Sequence, residues 1–128
     1  MNATLESLLA EREIAHQLAR IARAMDERAW EALDALIDAQ ASADLGTGRI
    51  VGRPALVALM RSFLDDCGPT QHLLGNLTVE VSGTEAQSRC YVADLHLGRG
   101  DIDPVVDGVL LEEGGAAFEA LKVGFCEC

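Results

Sequence analysis

Apolar residues recur every three or four positions through the first half of the chain and alternate through much of the second, so the sequence predicts helices first and strands later. Leu5, Leu8, Ile14, Leu18, Ile21, Ala22 and Met25 follow the helical period, with Asn2 or Thr4 as the candidate N-cap. That helix buries one face and turns His16 to the surface. The pattern breaks across residues 25–30, and a second helix carrying Trp30, Leu33, Leu36 and Ile37 completes a helical hairpin. Residues 41–51 are small and polar before Ile50 and Val51, which suits a short strand or a loop. Gly52-Arg53-Pro54 opens a third helix with proline in its first turn, and Leu56, Leu59, Met60, Phe63, Leu64 and Cys67 form its apolar stripe. Gly68-Pro69 ends it, because proline lacks an N–H and biases the residue before it away from helix.

From His72 onward the period shortens towards two. Leu77, Val79 and Val81 alternate with polar residues, Ser82-Gly83-Thr84-Glu85 reads as a turn, and 86–97 reads as a long strand. Alternation places Cys90, Val92, Asp94 and His96 on one face of it, and Arg89, Tyr91, Ala93 and Leu95 on the other. A loop at 98–101, a strand at 105–112, a turn at 113–115 and a final strand at 117–125 complete the chain. Helices followed by a meander imply an α+β fold, three N-terminal helices packed on one face of a curved, mainly antiparallel sheet.

A length of 128 residues suits one domain spanning 1–128, with a single sizeable core. The net charge of −11 argues against nucleic acid and anionic membrane surfaces as partners, since both demand clustered Lys and Arg. No apolar run is long enough to span a bilayer and no basic region precedes an apolar stretch, so a cytoplasmic protein is expected. Cys67, Cys90, Cys126 and Cys128 have no CxxC spacing and are expected as thiols. Cys126-Glu127-Cys128 lacks a second ligand pair, so no metal is assigned to it.

Chemistry concentrates around Pro69-Thr70-Gln71-His72, where a histidine stands between a turn and an apolar run. Asp94 and His96 share one strand face. Asp94 has a second reading as the partner of Arg89 or Arg99, and His96 a second reading as a strand-end residue bonded to water. Asp26 fits the N-cap of the second helix, with Glu27 in its first turn. No glycine-rich phosphate loop follows a strand, Gly46-Thr47-Gly48 being too short, and neither Cys67 nor Cys90 has a neighbouring base. No cofactor is implied.

Three motifs carry a resemblance: Ala24-Met25-Asp26-Glu27-Arg28-Ala29-Trp30-Glu31-Ala32-Leu33, Gly52-Arg53-Pro54-Ala55-Leu56, and Thr70-Gln71-His72 followed by Gly75-Asn76. Together with the element order they resemble the SnoaL-like branch of the NTF2-like superfamily, and within it scytalone dehydratase and related dehydratases and dehydrochlorinases. The resemblance implies a cone-shaped fold with a pocket between helices and sheet. It implies that Asp26 supports His72 as a general base, with His96 near the position of a second histidine. Met25 and Leu45 stand where scytalone dehydratase presents tyrosines. With Phe63, Val92 and Asp94 they are the expected substrate contacts. The implied activity is a cofactor-independent lyase or isomerase, dehydratase in type, acting on a small apolar or aromatic carbonyl metabolite. A polyketide cyclase-like enzyme and a non-catalytic binding or assembly module are the alternatives. Relatives associate through the outer sheet face, so a homodimer or homotrimer is expected.

Overall fold

The computed structural model describes residues 4–97 and a short strand at 117–119. Helix α1 runs from Leu5 to Asp26 and opens on a reciprocal cap, in which the Thr4 hydroxyl accepts from the Ser7 N–H and the Ser7 hydroxyl accepts from the Thr4 N–H. Its buried residues are Leu18, Ile21, Ala22 and Ala24. Leu5 and Leu8, expected on the buried stripe, are exposed, so among the described residues the packed part of α1 is its C-terminal half. His16 is exposed, as its position predicts.

The chain leaves α1 at Glu27 and reverses at Arg28, whose φ of 56° is left-handed. The expected second helix proves to be a 3-10 turn at Trp30–Ala32 followed by the single-turn α2, Leu33–Leu36. Ile37 is already extended, with φ −120° and ψ 132°. Two forces stop the helix there. Ile37 is buried in the core in that extended conformation, and Arg53 Nη1 donates to the carbonyls of Asp34 and Ile37, satisfying them without a further helical turn. The small polar stretch forms a hairpin of β1, Ser42–Asp44, and β2, Arg49–Val51. Helix α3, Arg53–Leu64, follows with proline in its first turn and buries Leu56, Met60 and Leu64.

Leu33, with no exposed surface, sits in a core with Ile21, Ala24, Ile37, Leu56 and Met60. The long strands β3, Thr70–Ser82, and β4, Glu85–His96, pair antiparallel, and β5, Ala117–Glu119, pairs with the other edge of β4. The architecture is α+β, with α1 packed against β3. The expected strand at 105–112 lies outside the described residues, as does most of that expected at 117–125.

Alternation in β3 is broken once. His72 and Leu74 are shielded on the even phase, while Leu77, Val79 and Val81 are shielded on the odd phase. A register shift between Gly75 and Thr78 reconciles them: three steps along β3 oppose two along β4, from Tyr91 to Arg89. This extra residue is a β-bulge, and Asn76 within it has φ 49°. An unbulged β3 would send either the His72 end or the Val79 end to the outer face. The outer face carries exposed Leu73, Tyr91 and Leu95.

Asparagine tolerates the left-handed region and a β-branched residue does not. Asn76→Val is expected to lower stability by about 1 to 2 kcal/mol, with Asn76→Gly near neutral, as read from urea unfolding midpoints.

Candidate active site

The open end of the β3–β4 hairpin, away from the Gly83 turn, meets the C-terminus of α1. Gly68 donates to the Leu97 carbonyl at 2.8 Å and Leu97 to the Pro69 carbonyl at 3.0 Å, prolonging the ladder beyond both strands. Thr70 pairs with His96 and His72 with Asp94, so four polar residues occupy two adjacent rungs on one face. Asp26, the last residue of α1, projects its carboxylate onto that face.

Asp26 Oδ1 lies 2.6 Å from His72 Nδ1 and accepts from the Thr70 hydroxyl at 3.0 Å. Oδ2 accepts from the His72 backbone N–H at 3.0 Å. A carboxylate only accepts in this setting, so His72 Nδ1 carries the hydrogen and Nε2 keeps its lone pair. The His72 side chain is 10% exposed and that of Asp26 is 20% exposed. The N-cap reading of Asp26 is therefore set aside. The 3-10 turn has Ala29 at its N-cap with no side-chain hydrogen bond there, and the aspartate serves the sheet instead.

Arg28 holds this arrangement from behind. Its Nε donates to the Leu64 carbonyl, Nη2 to the Gly68 carbonyl, and Nη1 to the carbonyls of Met25 and Asp26 and to the Thr70 hydroxyl. Thr70 thus accepts from Arg28 at 2.9 Å and donates to Asp26 at 3.0 Å, which fixes its rotor. Neither Arg28 nor Thr70 has a role predicted for it from the sequence. Thr70 was visible as part of its Thr-Gln-His motif, and the signal for Arg28 is a long cationic side chain in a turn between helices.

His96 lies against His72, with ring centroids 5.4 Å apart and planes inclined by 55°. Burial lowers its pKa below the ordinary 6.5, and the Arg28 guanidinium reinforces that shift, while the Asp94 and Asp26 carboxylates oppose it. Asp94 Oδ2 stands 3.4 Å from His96 Nε2. The alternative partner Arg89 is exposed on the opposite face of β4, and Arg99 lies outside the described residues. Val92 is buried on the same face as Asp94 and His96. Met25 and Leu45 pack against the helical core, and Phe63 is half exposed in the last turn of α3. A separate cleft of about 720 Å³ is lined by Gln17, Leu18, Leu36, Arg53, Leu56 and Gln87 among others. Asp26, His72, Asp94 and His96 take no part in its walls.

Fold and site together define an α+β protein in which the end of a long helix delivers a carboxylate to a strand histidine. The chain belongs to the SnoaL-like domain family, whose model matches residues 6–126. Solved structures agree on the NTF2-like fold. A putative scytalone dehydratase from Novosphingobium aromaticivorans is 23% identical, with a TM-score of 0.64 over 72% of this chain and 63% of its own. The present chain thus spans less than two thirds of that protein's length. An NTF2-like protein with a cystatin-like fold from the same organism is 29% identical, with a TM-score of 0.59 over 78% of this chain and 72% of its own. A structure from Catenulispora acidiphila is 16% identical, with a TM-score of 0.65 over 91% of this chain and 76% of its own. No curated protein matches the chain. No helix among the described residues is long and apolar enough to cross a membrane.

Two outcomes follow from this geometry. Arg28→Gly relieves the left-handed backbone yet strips partly buried carbonyls and Thr70 of their donor, so a net loss of about 2 kcal/mol or more is expected in urea unfolding. With its folded-state pKa below 6.5, His96 binds its proton more tightly in the unfolded chain, so its contribution to stability grows as pH rises through that window and is lost on acidification. Urea midpoints measured across the acidic range should show this slope, and His96→Gln should flatten it.

Proposed function

We propose that the protein is a cofactor-independent lyase or isomerase of dehydratase type, acting on a small, largely apolar carbonyl compound. The observation that carries this reading is the 2.6 Å contact between Asp26 Oδ1 and His72 Nδ1. It leaves His72 Nε2 as a base of fixed tautomer on a face that also carries buried Val92. A proton α to a carbonyl passes to Nε2, and the Asp26 carboxylate stabilises the imidazolium formed without taking the proton itself. The electron pair left on carbon moves onto the carbonyl oxygen as an enolate.

A neutral His96, the form its lowered pKa favours, offers a ring N–H to that oxygen rather than a full positive charge. When the enolate collapses, a β-hydroxyl leaves with the proton held on His72, releasing water and restoring the base. Return of the proton to a different carbon gives isomerisation instead. Thr70 and Arg28 hold the dyad and are positioning residues. The exposed Leu73, Tyr91 and Leu95 support association of copies through the outer sheet face.

The separate 720 Å³ cleft favours a second reading, a binding module that takes its ligand away from the dyad. Exchange of α-protons in deuterated water, followed by NMR across a panel of cyclic ketones and β-hydroxy ketones, separates the two. His72→Gln is expected to slow exchange by about 10²- to 10⁴-fold, with Asp26→Asn also impaired. Ring ¹⁵N shifts of His72 should lose their single tautomer in Asp26→Asn. Ligand binding that survives His72→Gln unchanged, with no exchange in either protein, would decide for the module.

A further inference from the structure

Three side chains on the site face offer more than proton transfer requires. One ligating atom from each of His72, Asp94 and His96 lies within 4.8 Å of the other two, and all three residues are partly buried. His96 Nε2 is sealed from solvent and has no hydrogen-bond partner. A buried nitrogen without a partner is rare, because its desolvation is uncompensated. Asp94 Oδ2 is only 3.4 Å away, yet that contact does not satisfy it.

The separation itself is informative. An imidazole and a carboxylate sharing a proton draw in to about 2.7 to 2.9 Å. Two ligands bound at about 2.1 Å to a common tetrahedral cation stand about 3.4 Å apart. Nδ1 of His72 is occupied by Asp26, so the nitrogen it has free is Nε2. A carboxylate behind a ligating histidine, fixing its tautomer, is what such ligands characteristically have. The elements for holding an ion are therefore in place.

We infer that His72, His96 and Asp94 form a binding site for a divalent transition-metal ion of the zinc type, and that the ion competes with the substrate proton for His72 Nε2. Two imidazoles and one carboxylate suit zinc, cobalt, nickel or copper and disfavour magnesium and calcium, which prefer all-oxygen sites. A fourth position remains for water. The binding claim goes beyond the proposed reaction and stands without it. Only the competition rests on that reading.

The test is titration of the full chain with cobalt(II), followed by visible absorption, and with zinc(II) by calorimetry. A Cys126→Ser, Cys128→Ser background removes the terminal thiols as ligands. One ion per chain with a four- or five-coordinate cobalt spectrum is expected. His96→Gln and Asp94→Asn should each weaken binding at least tenfold. Asp26→Asn, acting through the tautomer, should weaken it by about 10- to 100-fold. His16→Gln should change nothing, and circular dichroism of each variant checks that it is folded. Binding that is absent, or equally tight in folded His96→Gln and Asp94→Asn, overturns the proposal and leaves the general-base reading intact. If metal binds as expected but does not suppress α-proton exchange, the site stands and the competition falls.

Discussion

The Asp26 carboxylate joins the C-terminus of the longest helix to the first rungs of the longest hairpin, and the geometry of the site depends on that junction. It accepts from a ring nitrogen, a backbone N–H and a hydroxyl, all from Thr70 or His72. Charge-assisted hydrogen bonds contribute about 1.5 to 3 kcal/mol each when partly shielded. They also fix where α1 ends relative to β3. A carboxylate at a helix C-terminus opposes the helix dipole, so this placement is locally unfavourable and makes sense only through its partners on the sheet.

Arg28 supplies what the junction lacks. A non-glycine residue at φ 56° costs about 1 to 2 kcal/mol in backbone strain. The strain persists because the same turn aims the guanidinium at carbonyls from α1, the end of α3 and the connection into β3. It also aims it at Thr70, whose hydroxyl then has a hydrogen left for Asp26. One side chain thereby neutralises the polar debris of three element ends. The positive charge stays near the imidazoles without pairing directly with the catalytic candidate's carboxylate, and it helps keep His96 neutral.

The bulge in β3 performs a different service. Its single extra residue lets polar Thr70 and His72 share a face with Leu77, Val79 and Val81. The face is polar at the open end, where α1 terminates, and apolar towards the turn. Burial lowers the pKa of His96 at the polar end, and the apolar end of the same face displaces solvent.

Much of this was legible in the residues. Period 3.6 followed by period 2 determined helices before strands, and Gly52-Arg53-Pro54 marked the start of α3, whereas its end at Leu64 comes before Cys67 and the expected stop at Gly68-Pro69. Alternation in β4 correctly put Val92, Asp94 and His96 on one face, because a strand's side-chain period admits no other arrangement. The motif around Thr70 singled out His72. Other features required tertiary structure. The role of Asp26 was open, since an aspartate after a helix break serves equally as a cap or as a partner to a distant strand, and only packing chooses between them. The second helix shrank to a turn because Ile37 is buried in the core in an extended conformation. The phase change at Asn76, the hub at Arg28 and the meeting of His72 with His96 arise from pairings more than ten residues apart. Local propensity carries no information about such pairings; the register of the hairpin and the seat of α1 upon it decided them.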